Sequence, residues 1–229
     1  MDDFDSRSKL ILREDFNKLQ NFKICVIGLG GVGSIVPISL ARSGFKNFLL
    51  IDKDKVDISN LNRQIAYSKE DLNRYKTSAL KDYLLKLRED LSINTKEVEI
   101  NLDTNLEFLD SYDYVIDCID SINGKKAIIK YCLNKNINII SSLGMGNRLD
   151  PSKVEVTKLN KTTSDPLARK LRYELKKDNV DISKVVVSFS SEKPIINNKV
   201  IGSMIFVPNA SGLLISSYVL RQLLAYKGD

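Results

Sequence analysis

The chain has 229 residues, of which 43% are hydrophobic and 28% charged, and its 35 Lys and Arg against 29 Asp and Glu leave a formal net charge of +6. It contains no histidine and no tryptophan; the first absence excludes Ser-His-Asp triads, Cys-His pairs and zinc sites with imidazole ligands, the second the repeats that depend on Trp. The polar opening MDDFDSRSKL does not read as a signal peptide, and no apolar run approaches the roughly 20 residues of a membrane helix, so a cytoplasmic protein with no membrane partner is expected.

Along the chain, strand-like and helix-like stretches alternate. Lys23–Leu29 is a short, β-branched, nearly all-apolar run, the pattern of a strand buried on both faces. Ser34–Ser43 follows as a helix stopped by Gly44, in which Pro37 is expected to remove a backbone bond past the first turn. Asn47–Asp52 is a second buried strand, spaced for a right-handed βαβ unit. Lys76–Leu91 places Leu80, Leu84, Leu87 and Leu91 on one helical face. Lys96–Ile100 and Tyr112–Asp117 read as strands, Gly124–Asn134 as a helix and Ile137–Ser142 as a strand. The resulting β-α-β-α-β-β-α-β order predicts a doubly wound, Rossmann-like α/β sheet with helices on both faces, over residues 1–150.

The remainder, residues 151–229, reads as an extension of the same domain. Lys153–Leu159 alternates like a half-exposed strand. Asp165 is placed to cap a charged helix running from Pro166 to Lys177. Lys184–Ser188 and Ser203–Val207 read as strands, and Ser211–Ala225 as a closing apolar helix. No linker or composition shift divides the chain, so one domain over residues 1–229 is expected.

Two features carry chemistry. Gly28-x-Gly30-x-x-Gly33 follows a strand and opens a helix, where glycines let a phosphate approach backbone N–H groups at the positive helix end. Asp52, about 20 residues on at the tip of the next strand, suits the ribose hydroxyls. NAD is the default nucleotide for such a pair, but the polar run from Asp52 to Gln64 that follows offers no apolar lining for a nicotinamide. It offers Arg63 for phosphate, with Asn60 and Gln64 as neutral hydrogen-bonding partners. Cys25, Cys118 and Cys132 are too few and scattered for a disulfide framework or a four-cysteine zinc site, and each lies in an apolar run, as structural thiols do.

GLGGVGS, LIDKDKVDISNLNRQ, Lys76 and VIDCIDS together resemble the adenylating domain of the E1-like superfamily, the ThiF, MoeB and HesA type. The resemblance implies ATP held by Gly28, Gly30, Gly31, Gly33, Asp52, Asp54, Asn60, Arg63, Gln64 and Lys76, with Asp52 on the ribose and Arg63 and Lys76 on the triphosphate. It also implies Mg²⁺ on Asp120, and a homodimer in which Arg7 reaches the partner subunit's ATP. Fixed cations at the departing pyrophosphate suffice for nucleotidyl transfer, which needs no imidazole.

The superfamily's thioester-forming branch requires a cysteine in the crossover loop, and many members carry two CxxC pairs. This sequence has neither. GMGNRLDP, the stretch Lys161–Arg172 and GSMIFVPNASGL resemble instead the tRNA threonylcarbamoyladenosine dehydratases. That resemblance implies ATP-dependent cyclisation of threonylcarbamoyladenosine in tRNA through an acyl-adenylate, with Lys161, Arg169, Lys170, Arg172, Lys176 and Lys177 suited to phosphate contacts. The alternative is an activator of a sulfur-carrier or ubiquitin-like protein, and a sulfur-relay or carrier partner remains open beside tRNA. A non-catalytic nucleotide-binding module and an NAD enzyme stand further off.

Overall fold

The computed structural model describes residues 3–196 and 200–226. Their frame is a seven-stranded sheet whose strands, in chain order, are β1 (Lys23–Ile27), β2 (Asn47–Ile51), β3 (Ser92–Lys96), β4 (Tyr114–Asp117), β5 (Asn138–Ser142), β6 (Val154–Lys158) and β7 (Val186–Ser190). The spatial order is β3-β2-β1-β4-β5-β7-β6. Every pairing is parallel except that of β6 with β7. Strand order therefore reverses between β1 and β4, and in open parallel sheets ligands bind at that reversal, beyond the carboxyl ends of the strands.

The helices are α1 (Ser6–Leu12), α2 (Phe16–Leu19), α3 (Ile35–Ser43), α4 (Lys76–Leu87), α5 (Ile122–Lys135), α6 (Pro166–Lys177) and α7 (Phe206–Leu223). Two apolar cores separate them into layers. Val36 and Leu40 of α3, Leu80 and Leu84 of α4, and Ile215 and Val219 of α7 pack on one face of the sheet. Ile128 and Ile129 of α5 and Leu171 and Leu175 of α6 pack on the other. The doubly wound reading holds, and β6, β7, α6 and α7 extend it.

Capping follows the sequence where the sequence is explicit. Asp165 Oδ1 accepts the N–H groups of Leu167 and Ala168 at 2.8 and 3.1 Å, with Pro166 opening α6. Gly44 ends α3 at φ +115°, where the Phe16 ring lies 2.6 Å from the position of a Cβ.

Several expectations require correction. Pro37 is the third residue of α3, since Ser34 is its N-cap; the N–H that proline lacks has no intrahelical partner at that position in any helix. The strand expected at Lys96–Ile100 lies four residues earlier, at Ser92–Lys96. It is an edge strand with β2 as its single neighbour, and its alternating burial rests on one apolar residue, Ile93, between exposed Ser92 and Asn94. Beyond Lys96, the last residue of β3, the rest of the alternating KEVEI run leaves the ladder, with Val98, Glu99 and Ile100 lining a cavity. The strand expected at Ser203–Val207 does not form: α7 begins at Phe206, and Pro208 is accommodated in its first turn. The seventh strand is displaced by two residues from the expected Lys184–Ser188, and α4 ends at Leu87 instead of Leu91.

Candidate nucleotide-binding site

At the carboxyl ends of β1, β2, β4 and β5 lies an open cavity of about 650 Å³. Its floor is the turn between β1 and α3. Gly28 takes φ +87°, a conformation disfavoured for L side chains, and a Cβ there would sit 2.8 Å from the Cys118 backbone. A Cβ on Gly33 would fall 1.8 Å from Gly28 O. Gly33 thus lets α3 close on the strand, and it does not itself line the cavity. The N–H of Ser34 bonds Gly30 O at 3.0 Å, while the N–H groups of residues 30–33 meet no protein acceptor among the described residues. Such unpaired donors at a helix start favour an anion.

Asp52, at the tip of β2, is buried. Its Oδ2 accepts the Leu29 N–H at 2.6 Å and its Oδ1 the Asp54 N–H at 2.8 Å, so the carboxylate clamps the glycine turn to β2. Burial raises its pKa, opposed by Lys76 and by these two N–H groups. Lys76 opens α4 with its side chain buried, and its Nζ stands 3.3 Å from Asp54 Oδ2.

The polar run beyond β2 supplies one wall. Asp57 and Asn60 form a capping box around a short 3-10 turn, Asn60 Oδ1 accepting the Asp57 N–H. That turn holds Arg63, whose Nη1 donates to Ser59 O and Asn62 Oδ1 at 2.7 and 2.8 Å. Asn209 of α7 donates to Arg63 O at 2.9 Å, fixing the turn against the closing helix. Gln64 is buried, and its Oε1 has no hydrogen-bond partner among the described residues. A buried acceptor left unpaired costs about 1–3 kcal/mol, a cost that a ligand hydroxyl or amine would remove.

The opposite wall comes from β4, β5 and α6. Asp120 is exposed on the rim. Asp117, three residues earlier, turns away from the cavity into an ion pair with Lys125, Nζ to Oδ2 3.0 Å, both side chains wholly buried. The two carboxylates of VIDCIDS therefore part company: one braces the turn, the other faces the site. Cys118 lines the cavity, but burial and the neighbouring Asp117 charge push its thiol up to about 12, leaving it neutral and unreactive.

Of the residues singled out from the sequence, Gly28, Gly30, Gly31, Asp52, Asp54, Asn60, Arg63, Gln64, Lys76 and Asp120 all line this cavity. Gly33 lies beneath it. Arg7 is exposed on α1 and does not reach it; α1 is anchored instead by Asp5, which bonds Arg88 at 3.0 and 3.2 Å. Sequence reasoning missed Lys53 and Glu99, paired on the rim at 2.7 Å, and also Ser142, Gly144, Leu167 and Pro208 in the walls. Ser142 carried a signal in its position at a strand end, and Gly144, Leu167 and Pro208 lie within the stretches that carry the family resemblance. Arg172 Nη1 donates to Thr162 O at 3.0 Å, tying α6 to the loop before it.

Comparison with known proteins accords with this geometry. The ThiF family model matches residues 5–224. A tRNA threonylcarbamoyladenosine dehydratase of Bacillus subtilis is 34% identical, over 96% of this chain and 94% of that one. Crystal structures of the Escherichia coli tRNA N6-threonylcarbamoyladenosine dehydratase TcdA, one with AMP and one with ATP, superpose with a TM-score of 0.91 at 30% identity, covering 96% of this chain and 93% of theirs. A cavity at the sheet's strand-order reversal, floored by glycines and walled by Arg63, Lys76 and Asp52, thus sits in a fold shared from end to end with nucleotide-bound relatives, and the chain belongs to the ThiF family.

Proposed function

We propose that this protein is an ATP-dependent tRNA threonylcarbamoyladenosine dehydratase, acting as one adenylating unit over its whole length. The observation that carries the reading is end-to-end likeness to dehydratases combined with a single cavity that gathers phosphate-binding and ribose-binding groups. The substrate carboxylate attacks the α-phosphorus of ATP, the bond to pyrophosphate breaks, and an acyl-adenylate forms. A nucleophile of the same side chain then attacks the acyl carbon, AMP leaves, and the net change is loss of water. Because that second attack is intramolecular, proximity replaces an enzymic nucleophile, in keeping with the neutral Cys118.

In this scheme Asp52 holds the ribose, the N–H groups of residues 30–33 take phosphate oxygens, and Arg63 and Lys76 neutralise the departing pyrophosphate. Asp54 orients Lys76, while Asn60 and Gln64 complete the polar lining. The donors fit Mg²⁺ of the kind bound by one carboxylate, water and substrate phosphates: Asp120 is the exposed carboxylate, and no cluster of three ligating side chains is found among the described residues. Bound there, the ion would offset charge on the leaving group. The enzyme acts in the cytoplasm as a homodimer, with Arg7 serving the neighbouring subunit's site.

The test is ATP–pyrophosphate exchange, stimulated by threonylcarbamoyladenosine-bearing tRNA and compared with stimulation by a sulfur-carrier protein. Exchange driven only by the carrier protein would refute the reading in favour of the activator alternative, and nucleotide binding without exchange would leave a binding module. Arg63→Ala and Lys76→Ala are each expected to lower the tRNA-stimulated rate by about 10²–10³. Mixed Arg7→Ala and Asp120→Ala subunits should recover part of the activity; no recovery would place Arg7 outside the neighbouring site.

A further inference from the structure

We propose that the solvent face of α6 is the surface on which the RNA substrate's sugar–phosphate backbone docks, an inference that rests on the dehydratase reading above. Ala168, Leu171 and Leu175 are buried against the sheet. Arg169, Lys170, Tyr173, Lys176 and Lys177 occupy the opposite side of the helix, all exposed and at spacings that make them neighbours.

Charge is sorted on this helix in an unusual way. Its acidic groups face inward: Glu174 and the adjoining Asp178 pair with Lys126 of α5 at 3.6 and 3.0 Å, and Asp178 pairs also with Lys130 at 2.6 Å. Arg169, Lys170, Lys176 and Lys177 form no ion pair among the described residues. An ordinary solvated helix face mixes signs at i, i+4 spacing, which adds a few tenths of a kcal/mol per pair. Here the outward face carries four cations and no anion.

Tyr173, 67% exposed, stands in the middle of the four. A ring amid cations suits base stacking flanked by phosphate contacts. The helix also has the right origin, since Leu167 in its first turn lines the nucleotide cavity and Asp165 Oδ2 accepts the N–H of Gly144 in the cavity wall. From Leu167 to Lys177 the face runs outward for roughly 15 Å. A nucleoside seated at the cavity would thus have its flanking backbone led along α6.

The experiment measures binding of an anticodon stem-loop RNA bearing threonylcarbamoyladenosine by fluorescence anisotropy at several salt concentrations. Arg169→Ala/Lys170→Ala/Lys176→Ala/Lys177→Ala should weaken binding by about tenfold or more and reduce the slope of log K against log salt by about 3, as expected for four lost phosphate contacts. ATP affinity should stay within about twofold, which also verifies folding. Tyr173→Ala should weaken binding by about fivefold or more while Tyr173→Phe retains it, since stacking does not use the hydroxyl.

A matched pair separates a local surface from net charge. Lys81→Ala/Lys86→Ala, on α4 across the sheet, should change binding far less than Lys176→Ala/Lys177→Ala. Unchanged affinity and salt slope in the fourfold variant, or equal losses in the two pairs, would overturn the assignment of the surface while leaving wild-type cyclisation intact. A wild-type protein that neither binds nor cyclises this RNA would overturn the dehydratase reading itself.

Discussion

Replacing Lys125 by Met exposes the energetics of the turn that carries Asp120. Lys125 Nζ lies 3.0 Å from Asp117 Oδ2, and neither side chain has any solvent exposure. Asp117 Oδ1 accepts the Ile119 N–H at 3.1 Å, so the pair ties α5 to β4 and fixes the backbone entering the cavity wall. Without the ammonium, Asp117 is a buried charge with a single hydrogen bond to offset it. Breaking such a pair costs about 3–5 kcal/mol. In a chain of this size 1 kcal/mol moves Tm by about 2–4 °C, so a fall on the order of 10 °C is expected.

The double variant Asp117→Leu/Lys125→Met removes both charges and loses only the Ile119 hydrogen bond, a cost of about 1–3 kcal/mol. It should be more stable than Lys125→Met alone. Urea unfolding followed by far-UV circular dichroism is the suitable assay, because the chain has no tryptophan to report by fluorescence. A cost below about 1 kcal/mol for Lys125→Met, or a double variant less stable than the single, would refute the argument.

The remaining predictions concern cysteine and pH. Burial pushes Cys132 and Cys118 up to about 12 and raises Cys25 as well, so a thiol reagent at pH 8 should label the folded protein far more slowly than the unfolded chain. A Cys25→Ala/Cys118→Ala/Cys132→Ala variant should lose roughly 1 kcal/mol or more per site yet keep its turnover on modified tRNA where it remains folded. A reducible covalent intermediate on any of the three would sink the intramolecular ring closure. The Arg88 guanidinium, with Lys46 beside it, holds the half-exposed Asp90 carboxyl well below the usual range. Its contribution to stability is therefore present above the unfolded value of about 3.9 and lost as pH falls through the folded one. The stability advantage of wild type over Asp90→Asn should shrink between pH 7 and pH 3, and an advantage that grew on acidification would contradict the assignment.

What the sequence determined by itself was set by local chemistry. The buried strands β1, β2, β4 and β5 were legible because apolar, β-branched runs that short have few other uses, and α6 because Asp165-Pro166 is a start signal in its own right. Ten of the 29 residues that line the cavity were legible for a related reason: glycines at a helix start and a run ending in Arg63-Gln64 have specific uses near a nucleotide. Tertiary structure decided what depends on neighbours distant in the chain. The edge strand β3 takes its register from β2, so the alternation in KEVEI misplaced it. Gly33 was expected among the nucleotide-binding glycines, and only the packed turn shows that it serves close approach to Gly28 O and is not part of the cavity lining. The resemblance set Asp120 apart from Asp117, but the physical reason is tertiary: burial of Lys125 on α5 turns Asp117 inward and leaves Asp120 at the site. The sorting of charge on α6 was likewise hidden, because Lys126 and Lys130, the cations that hold its acidic groups inward, lie more than forty residues away on α5.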